Sequence, residues 1–325
     1  MKRIFLLFIL ILFITAGLPF FIVEYFRRQP DPSPSAGIRE PMDEISVYVK
    51  AQDAVVSMAT AQYLKEVVAA EMPAAFEPEA LKAQAVAART YLLNRVNVHR
   101  SGTEIPQHKG ADICTDSTHC KAWICEADRR ASWESDADTN WEKISAAVDD
   151  TTGIVITYNQ EPISAVFHST SSGYTENAKD VWGGNVPYLV SVASLGEEQS
   201  PRYQSEVNLS FDEFKAIGTQ HIQNVDWNKA LISDIVRSDA GGIISITVGG
   251  VPLKGSVFRT IFGLRSTNAQ ITMADDRVIM QVKGFGHGVG MSQYGANYLA
   301  GQGKNYVEIL KTYYTGVDVG PWQST

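Results

Sequence analysis

The chain has 325 residues, 45% hydrophobic and 20% charged, with 13 prolines and 25 glycines. That length suits about two domains with real cores, and the composition excludes a disordered, collagenous or small disulfide-scaffold protein. With 28 Lys and Arg against 36 Asp and Glu, the net charge of -8 argues against a wrapped nucleic-acid partner, which needs a basic face to displace counterions.

Lys2 and Arg3 precede an uncharged run from Ile4 to Val23. About 20 helical residues at 1.5 Å each span about 30 Å, the thickness of the hydrocarbon core. The run is longer than a signal-peptide core, and Glu24, Tyr25, Phe26, Arg27 and Arg28 stand where a cleavage site would carry small residues. Residues 1–28 therefore read as an uncleaved single-pass anchor, with the body of the protein outside the cytoplasm; the alternatives are a cleaved signal peptide and a buried core helix. Residues 29–43, rich in proline and polar side chains, read as an extended tether.

The folded region is expected over 44–320. Ile45, Val47 and Val49 alternate as a short strand, after which the apolar period turns helical through TAQYLKEVVAAEM and stops at Pro73. A second helix starts near Pro78 with a stripe of Leu81, Ala85, Ala88 and Leu92, whose alanines predict a close neighbour. A polar loop over 97–138 holds Cys114, Cys120 and Cys125. Trp141, Ile144 and Val148 mark a short helix, and GIVITYNQEPISAVF a strand pair bent at Asn159 and Gln160. Tyr188 to Val192 reads as β. Residues 209–264 read as an inserted subdomain with a strand (IISITV), a turn at Gly249 and Gly250 and a helix (VFRTIF). A strand (RVIMQVKGF), a glycine-rich bend and two helices ending near Tyr314 complete the chain. The fold class is mixed α+β, a helical catalytic region packed with β-containing lobes behind an N-terminal transmembrane helix.

Glu71 follows Leu64 by two helical turns, on nearly the same line as Leu64, Val67 and Val68. A carboxylate thus points where a core residue should, beside the negative end of the helix dipole, and both conditions favour its neutral form. A glycosidase needs such an acid to protonate a leaving oxygen. The alternative is a buried structural ion pair with Arg89 on the next helix. In HKGADICTDSTHCKAWIC, His108, Cys114, His119 and Cys120 can close around one Zn²⁺ as two thiolates and two imidazoles. Four protein ligands leave no position for water, so such a metal would be structural; the alternative is a disulfide through Cys114. In GFGHGVGMSQYGA, glycines around His287 permit positive φ and close backbone approach to a ligand, with Gln293 and Tyr294 as candidate sugar contacts. His287 can equally be hydrogen-bonded structure. In FHSTSSGYT, a strand leads into a hydroxyl-rich turn, with His168, Ser169, Ser172 and Tyr174 as further candidates and no G-x-S-x-G elbow for a nucleophilic serine.

Four segments, YLKEVVAAEMPAAFEPEALKAQAVAARTY (63–91), FHSTSSGYTENAKDVWGG (167–184), PYLVSVAS (187–194) and GFGHGVGMSQYGANYLAGQGKNYVEILKTYYTGV (284–317), together resemble the stage II sporulation protein D family of peptidoglycan lytic transglycosylases. The resemblance implies that Glu71 of the EMP motif is the catalytic acid and base, with Arg89 of AART near it, and that His108, Cys114, His119 and Cys120 bind zinc as scaffold. It also implies cleavage of the bond from N-acetylmuramic acid to N-acetylglucosamine in peptide-stripped glycan, with closure of a 1,6-anhydro ring. The implied partners are glycan strands, the stage II sporulation protein P amidase and stage II sporulation protein M, at the mother-cell side of the intermembrane space during engulfment. A zinc-dependent wall hydrolase and a noncatalytic glycan-binding scaffold remain the competing classes.

Overall fold

The computed structural model describes residues 39–323, so the expected membrane anchor and most of the tether lie outside the described residues. Among the described residues no helix is long and apolar enough to cross a membrane. Strands β1 (Glu44–Val49) and β2 (Ala54–Ala59) form an antiparallel hairpin with Val47 opposite Val56. Helix α1 (Thr60–Glu71) buries Leu64, Val67 and Val68 and is stopped by Met72 and Pro73 in extended backbone. Helix α2 (Pro78–Arg100) begins with proline in its first turn and is buried along Leu81, Ala85, Ala88 and Leu92. Its alanines admit the close neighbour the sequence predicts.

The chain then returns beside β1 as a two-residue parallel strand, β3 (Ile113–Cys114), with Val47 paired to Ile113. Helices α3 (Glu126–Trp133) and α4 (Ala137–Asp149) follow. Next come β4 (Ile154–Tyr158) and β5 (Glu161–Pro162), joined through Asn159 and Gln160 in the left-handed region. Strand β6 (Phe167–His168) and the short α5 (Ala178–Trp182) lead to the second lobe. Residues 188–192 are not a strand. The Ser191 amide donates to the Asn177 side chain and the Val192 amide to the Thr175 hydroxyl, while the Leu189 and Val192 carbonyls accept the Ala178 and Thr175 amides, so side chains interrupt what would otherwise be a backbone ladder.

The second lobe comprises β7 (Gln204–Ser210), α6 (Phe211–His221), β8 (Ile232–Arg237), β9 (Ile243–Val248), β10 (Val251–Lys254), α7 (Gly255–Ile261), β11 (Ala269–Ala274) and β12 (Arg277–Lys283). Two three-stranded sheets, β11-β12-β7 and β10-β9-β8, enclose a separate core that includes Phe214, Phe258, Phe262, Met280 and Val282. That core draws on residues beyond the 209–264 suggested by sequence, because β7 and β12 close it from both ends. The chain returns to the first core as β13 (Met291–Ser292), parallel to β6, then α8 (Gln293–Gly301), α9 (Tyr306–Tyr313) and β14 (Asp318–Pro321), which pairs with β4.

Arg89 lies inside α2 with only 1% of its surface exposed. Its Nε donates to Glu40 Oε2 at 2.8 Å and its Nη2 to Glu40 Oε1 at 2.9 Å and to the Val148 carbonyl at 3.0 Å. Nη1 reaches the Thr151 hydroxyl at 3.3 Å. The partner is therefore Glu40, not Glu71, and the fork-shaped guanidinium is satisfied by structure.

Candidate active site

A cleft of about 1430 Å³ runs past the end of α1 and is lined by Glu71, Phe76, Lys121, Trp133, Phe167, His168, Ser169, Trp182, Arg259, His287, Gln293 and Tyr294 among others. Arg89, paired with Glu40, does not line it. Glu71 is the last residue of α1 and is half-buried, since the helix carries it to the cleft edge rather than into the core. The Ala122 amide donates to its Oε1 at 2.9 Å and the Gln293 side-chain amide to its Oε2 at 3.3 Å. Gln293 also reaches Gln84 Oε1 at 3.5 Å, and the Gln84 Nε2 is buried without a partner among the described residues. Glu66, on the same helix, accepts from Trp123 Nε1 at 2.8 Å, from the Glu126 amide at 3.0 Å and from Gln62. Those bonds pin the segment after the cysteine loop and commit the Glu66 carboxylate to structure.

The segment facing Glu71 issues directly from the histidine and cysteine cluster. Donor atoms of His108, Cys114, His119 and Cys120 all lie within 4.8 Å of one another. His108 Nε2 is 3.1 Å from Cys120 Sγ, and His119 Nδ1 is 3.3 Å from Cys120 Sγ and 3.5 Å from Cys114 Sγ. Ligands at zinc bond lengths on a tetrahedron would be separated by about 3.3–3.8 Å, so these four can hold a metal ion with little movement. All three cysteines are free thiols, and the alternative disulfide is not formed. Hydrogen bonds, first from the Cys120 thiol and then from the histidines, lower the Cys114 thiol from its ordinary value and favour its thiolate form. The sharp turn this requires is made by Asp116, whose carbonyl accepts the amides of both His119 and Cys120.

The opposite wall is made by β6 and the glycine-rich bend. His168 Nδ1 lies 3.2 Å from the Val289 carbonyl, which makes Nδ1 the donor and leaves Nε2 a bare acceptor, buried without a partner among the described residues. Burial lowers His168 to about 4 and His287 well below the usual histidine range, so both are neutral near pH 7. His287 accepts the Val289 amide at its Nδ1 and packs between His168 and Trp182, with centroids at 5.6 and 5.2 Å. The glycines serve the fold here rather than a ligand. A Cβ on Gly290, at φ 73°, would stand 2.1 Å from the Val166 carbonyl oxygen, and one on Gly286, at φ 118°, would stand 2.8 Å from the His168 Cβ.

The cleft thus gathers Glu71, His168, Ser169, His287, Gln293 and Tyr294 from the residues singled out in sequence. Tyr294 stacks edge-on against Phe76 at 5.0 Å. Ser172 and Tyr174 are absent from its lining, because the chain turns away after Thr170 pairs with Phe285. The Ser172 hydroxyl faces the Ala240 carbonyl of the second lobe, and Tyr174 is 58% exposed elsewhere. Sequence reasoning missed Lys121 and Arg259. Each carries a signal: Lys121 adjoins the cluster, and Arg259 is the lone charge in the apolar run VFRTIF.

A family model described as "Stage II sporulation protein" matches residues 48–158, which hold α1, α2 and the histidine and cysteine cluster. Stage II sporulation protein D of Bacillus subtilis (strain 168) is 38% identical over 276 residues, covering 85% of this chain and 78% of that protein. The protein of that name from Bacillus amyloliquefaciens is 38% identical over 283 residues, covering 87% and 80%. A protein named "Amidase enhancer" from Bacillus subtilis (strain 168) is 29% identical over 304 residues, covering 78% of this chain and 39% of its own length. With the EMP helix, the loop of the histidine and cysteine cluster and the glycine-rich bend assembled around one cleft, and with that identity over most of its length, the chain belongs to the stage II sporulation protein D family.

Proposed function

We propose that this protein is a membrane-anchored peptidoglycan lytic transglycosylase. The observation that carries the reading is the placement of Glu71 in a long cleft, its carboxylate held by the Ala122 amide and the Gln293 side chain while Glu66 is committed elsewhere. One carboxyl group then serves both steps. As the acid, Glu71 gives its proton to the oxygen joining N-acetylmuramic acid to N-acetylglucosamine, and that bond to C1 breaks as positive charge develops on the muramic ring. As the carboxylate, Glu71 takes the proton of the 6-hydroxyl of the same sugar while its oxygen bonds to C1, closing a 1,6-anhydro ring. The nucleophile is already in the substrate, so proximity replaces a second carboxylate and an ordered water.

Zn²⁺ suits the donor set of His108, Cys114, His119 and Cys120, and four protein ligands make it a brace for the turn that ends at Ala122 rather than a source of activated water. Peptide-free glycan is the substrate, so an amidase acts first; the relative named for enhancing an amidase supports that pairing. Stage II sporulation proteins P and M are the proposed partners, at the outer face of the membrane, in septal remodelling and engulfment during sporulation.

Mass spectrometry of products from peptide-free strands, using the wild-type chain and Glu71→Gln, tests this. Anhydro-muramyl ends are expected from wild type, with a loss of about 10²–10⁴-fold in the variant. A chelator is expected to lower the melting temperature, with activity lost only as the fold is lost. Reducing ends would instead mean hydrolysis by water, and binding without products would leave a scaffold.

A further inference from the structure

Several cations of this acidic protein are matched to carboxylates, Lys50 to Asp116, Lys65 to Asp149, Arg89 to Glu40 and Arg130 to Asp138, and others, such as Arg237, to backbone carbonyls. The cleft gathers five cations in one place. Arg95, Lys121, Arg129, Arg202 and Arg259 line it, and none has a carboxylate within ion-pair distance among the described residues. Four of them rest on aromatic faces instead: Arg95 on Tyr91, Lys121 on Tyr91 and Phe167, Arg129 on Trp133 and Arg202 on Phe285. A ring face attracts a cation without cancelling its charge. Lys121 is 8% exposed, with Nζ 3.7 Å from the centre of the Phe167 ring. Arg259 spends its Nε on the Leu264 carbonyl at 3.2 Å and leaves its terminal nitrogens without a partner among the described residues. Both charges bear on the same His168 and His287 pair, although one residue comes from the metal-binding loop and the other from the second lobe. Lys121 feels the Glu71 charge without forming an ion pair with it; a desolvated cation without a paired carboxylate is costly, and the fold has gathered these where a ligand would lie.

We propose that Arg259 and Lys121 form a receptor for a carboxylate carried on the sugar chain, the free lactyl group of a muramic acid residue freed of its stem peptide. The proposal rests on the glycan-cleaving reading of the same cleft and names what that cleft selects. A stem peptide is joined to the lactyl carbonyl by an amide, which is neutral. Hydrolysis of that amide leaves a carboxylate in the same place, and a guanidinium or ammonium beside it gains a charge-assisted hydrogen bond that the amide cannot match. The reaction that supplies this substrate is therefore an amide hydrolysis, and the cleft checks that it has taken place.

The test uses the full chain carrying Glu71→Gln, so that binding is read without cleavage, and two probes: peptide-free strands, and the same strands with their lactyl carboxylates converted to methylamides. At low ionic strength the acid strands are expected to bind about tenfold more tightly. Adding Arg259→Gln should weaken acid-strand binding by about tenfold, leave methylamide-strand binding where it was, and be partly rescued by Arg259→Lys. Equal affinity of the parent for the two strands would overturn the proposal without any change in this wall. So would discrimination that survives in both Arg259→Gln and Lys121→Gln, or competition by polyglutamate as strong as that by the acid strands. Failure of the wild-type chain to release anhydro ends from either strand would sink the glycan-cleaving reading alone, since the binding comparison does not depend on it.

Discussion

On one side of the cleft, Glu71 ends an amphipathic helix, and the turn that faces it is gathered by four donors from a single loop. On the other, His168 is fixed by the carbonyl of Val289, 121 residues away, and the backbone passes too close for any side chain on Gly290. The first wall is a local arrangement that a metal can brace; the second is a crossing of two distant segments held by bare backbone. A wall of the first kind can be loosened at its ligands and reformed. A wall of the second kind has no slack, because its contacts are main-chain atoms already at van der Waals distance.

The sharpest way to break that contrast is Gly290→Ala. A Cβ there meets the Val166 carbonyl at 2.1 Å in left-handed backbone, so unfolding free energy should fall by about 3–4 kcal/mol in chemical denaturation. A loss below about 1 kcal/mol would mean that the crossing yields and the two walls are alike. Acid should act next, and on the second wall. His168 titrates at about 4 in the fold against about 6.5 when unfolded, so between those values the unfolded chain binds the extra proton. Stability from this residue is whole above pH 6.5 and falls as pH drops toward 4, by about 3 kcal/mol in all, and His168→Asn should flatten that part of a melting-temperature profile. An unchanged profile in the variant would contradict the burial of a neutral imidazole. The smallest effect is expected at the joint between the walls. Gln293→Met removes the side-chain donor to Glu71 and Gln84, and should cost about 1 kcal/mol of stability while lowering turnover more than affinity. If affinity alone changed, Gln293 would be a sugar contact rather than a positioning residue.

The same contrast explains what was legible in sequence. Helical periodicity locates α1 and α2, although it aligns Glu71 with the core where the fold leaves it half-buried at a cleft edge, and a tight cluster of ligand types reveals the histidine and cysteine cluster, because both are properties of neighbouring residues. The partner of Arg89 is not readable that way: Glu40 lies 49 residues upstream, in a segment that looks like tether, and only the packed fold brings it to α2. Hydroxyl-rich composition likewise drew attention to Ser172 and Tyr174, yet the bridge between Thr170 and Phe285 turns them from the cleft. The limits of the second lobe are hidden because β7 and β12, which close its core, pair across most of its length. Arg259 becomes meaningful only once α7 has committed Phe258 to that core and left its neighbour facing the cleft.

The bidentate contact of Arg89 with Glu40 also has a mechanical side. Glu40 stands immediately before β1, so tension entering the domain through its N-terminal segment meets this pair before it meets the hairpin. The load passes through a guanidinium into the middle of α2, the helix that touches α1, α4, α8 and α9, and is shared across the first core instead of unzipping β1 from β2 one bond at a time. A domain pulled by that end would therefore yield late and all at once, with the cleft keeping its shape until it does.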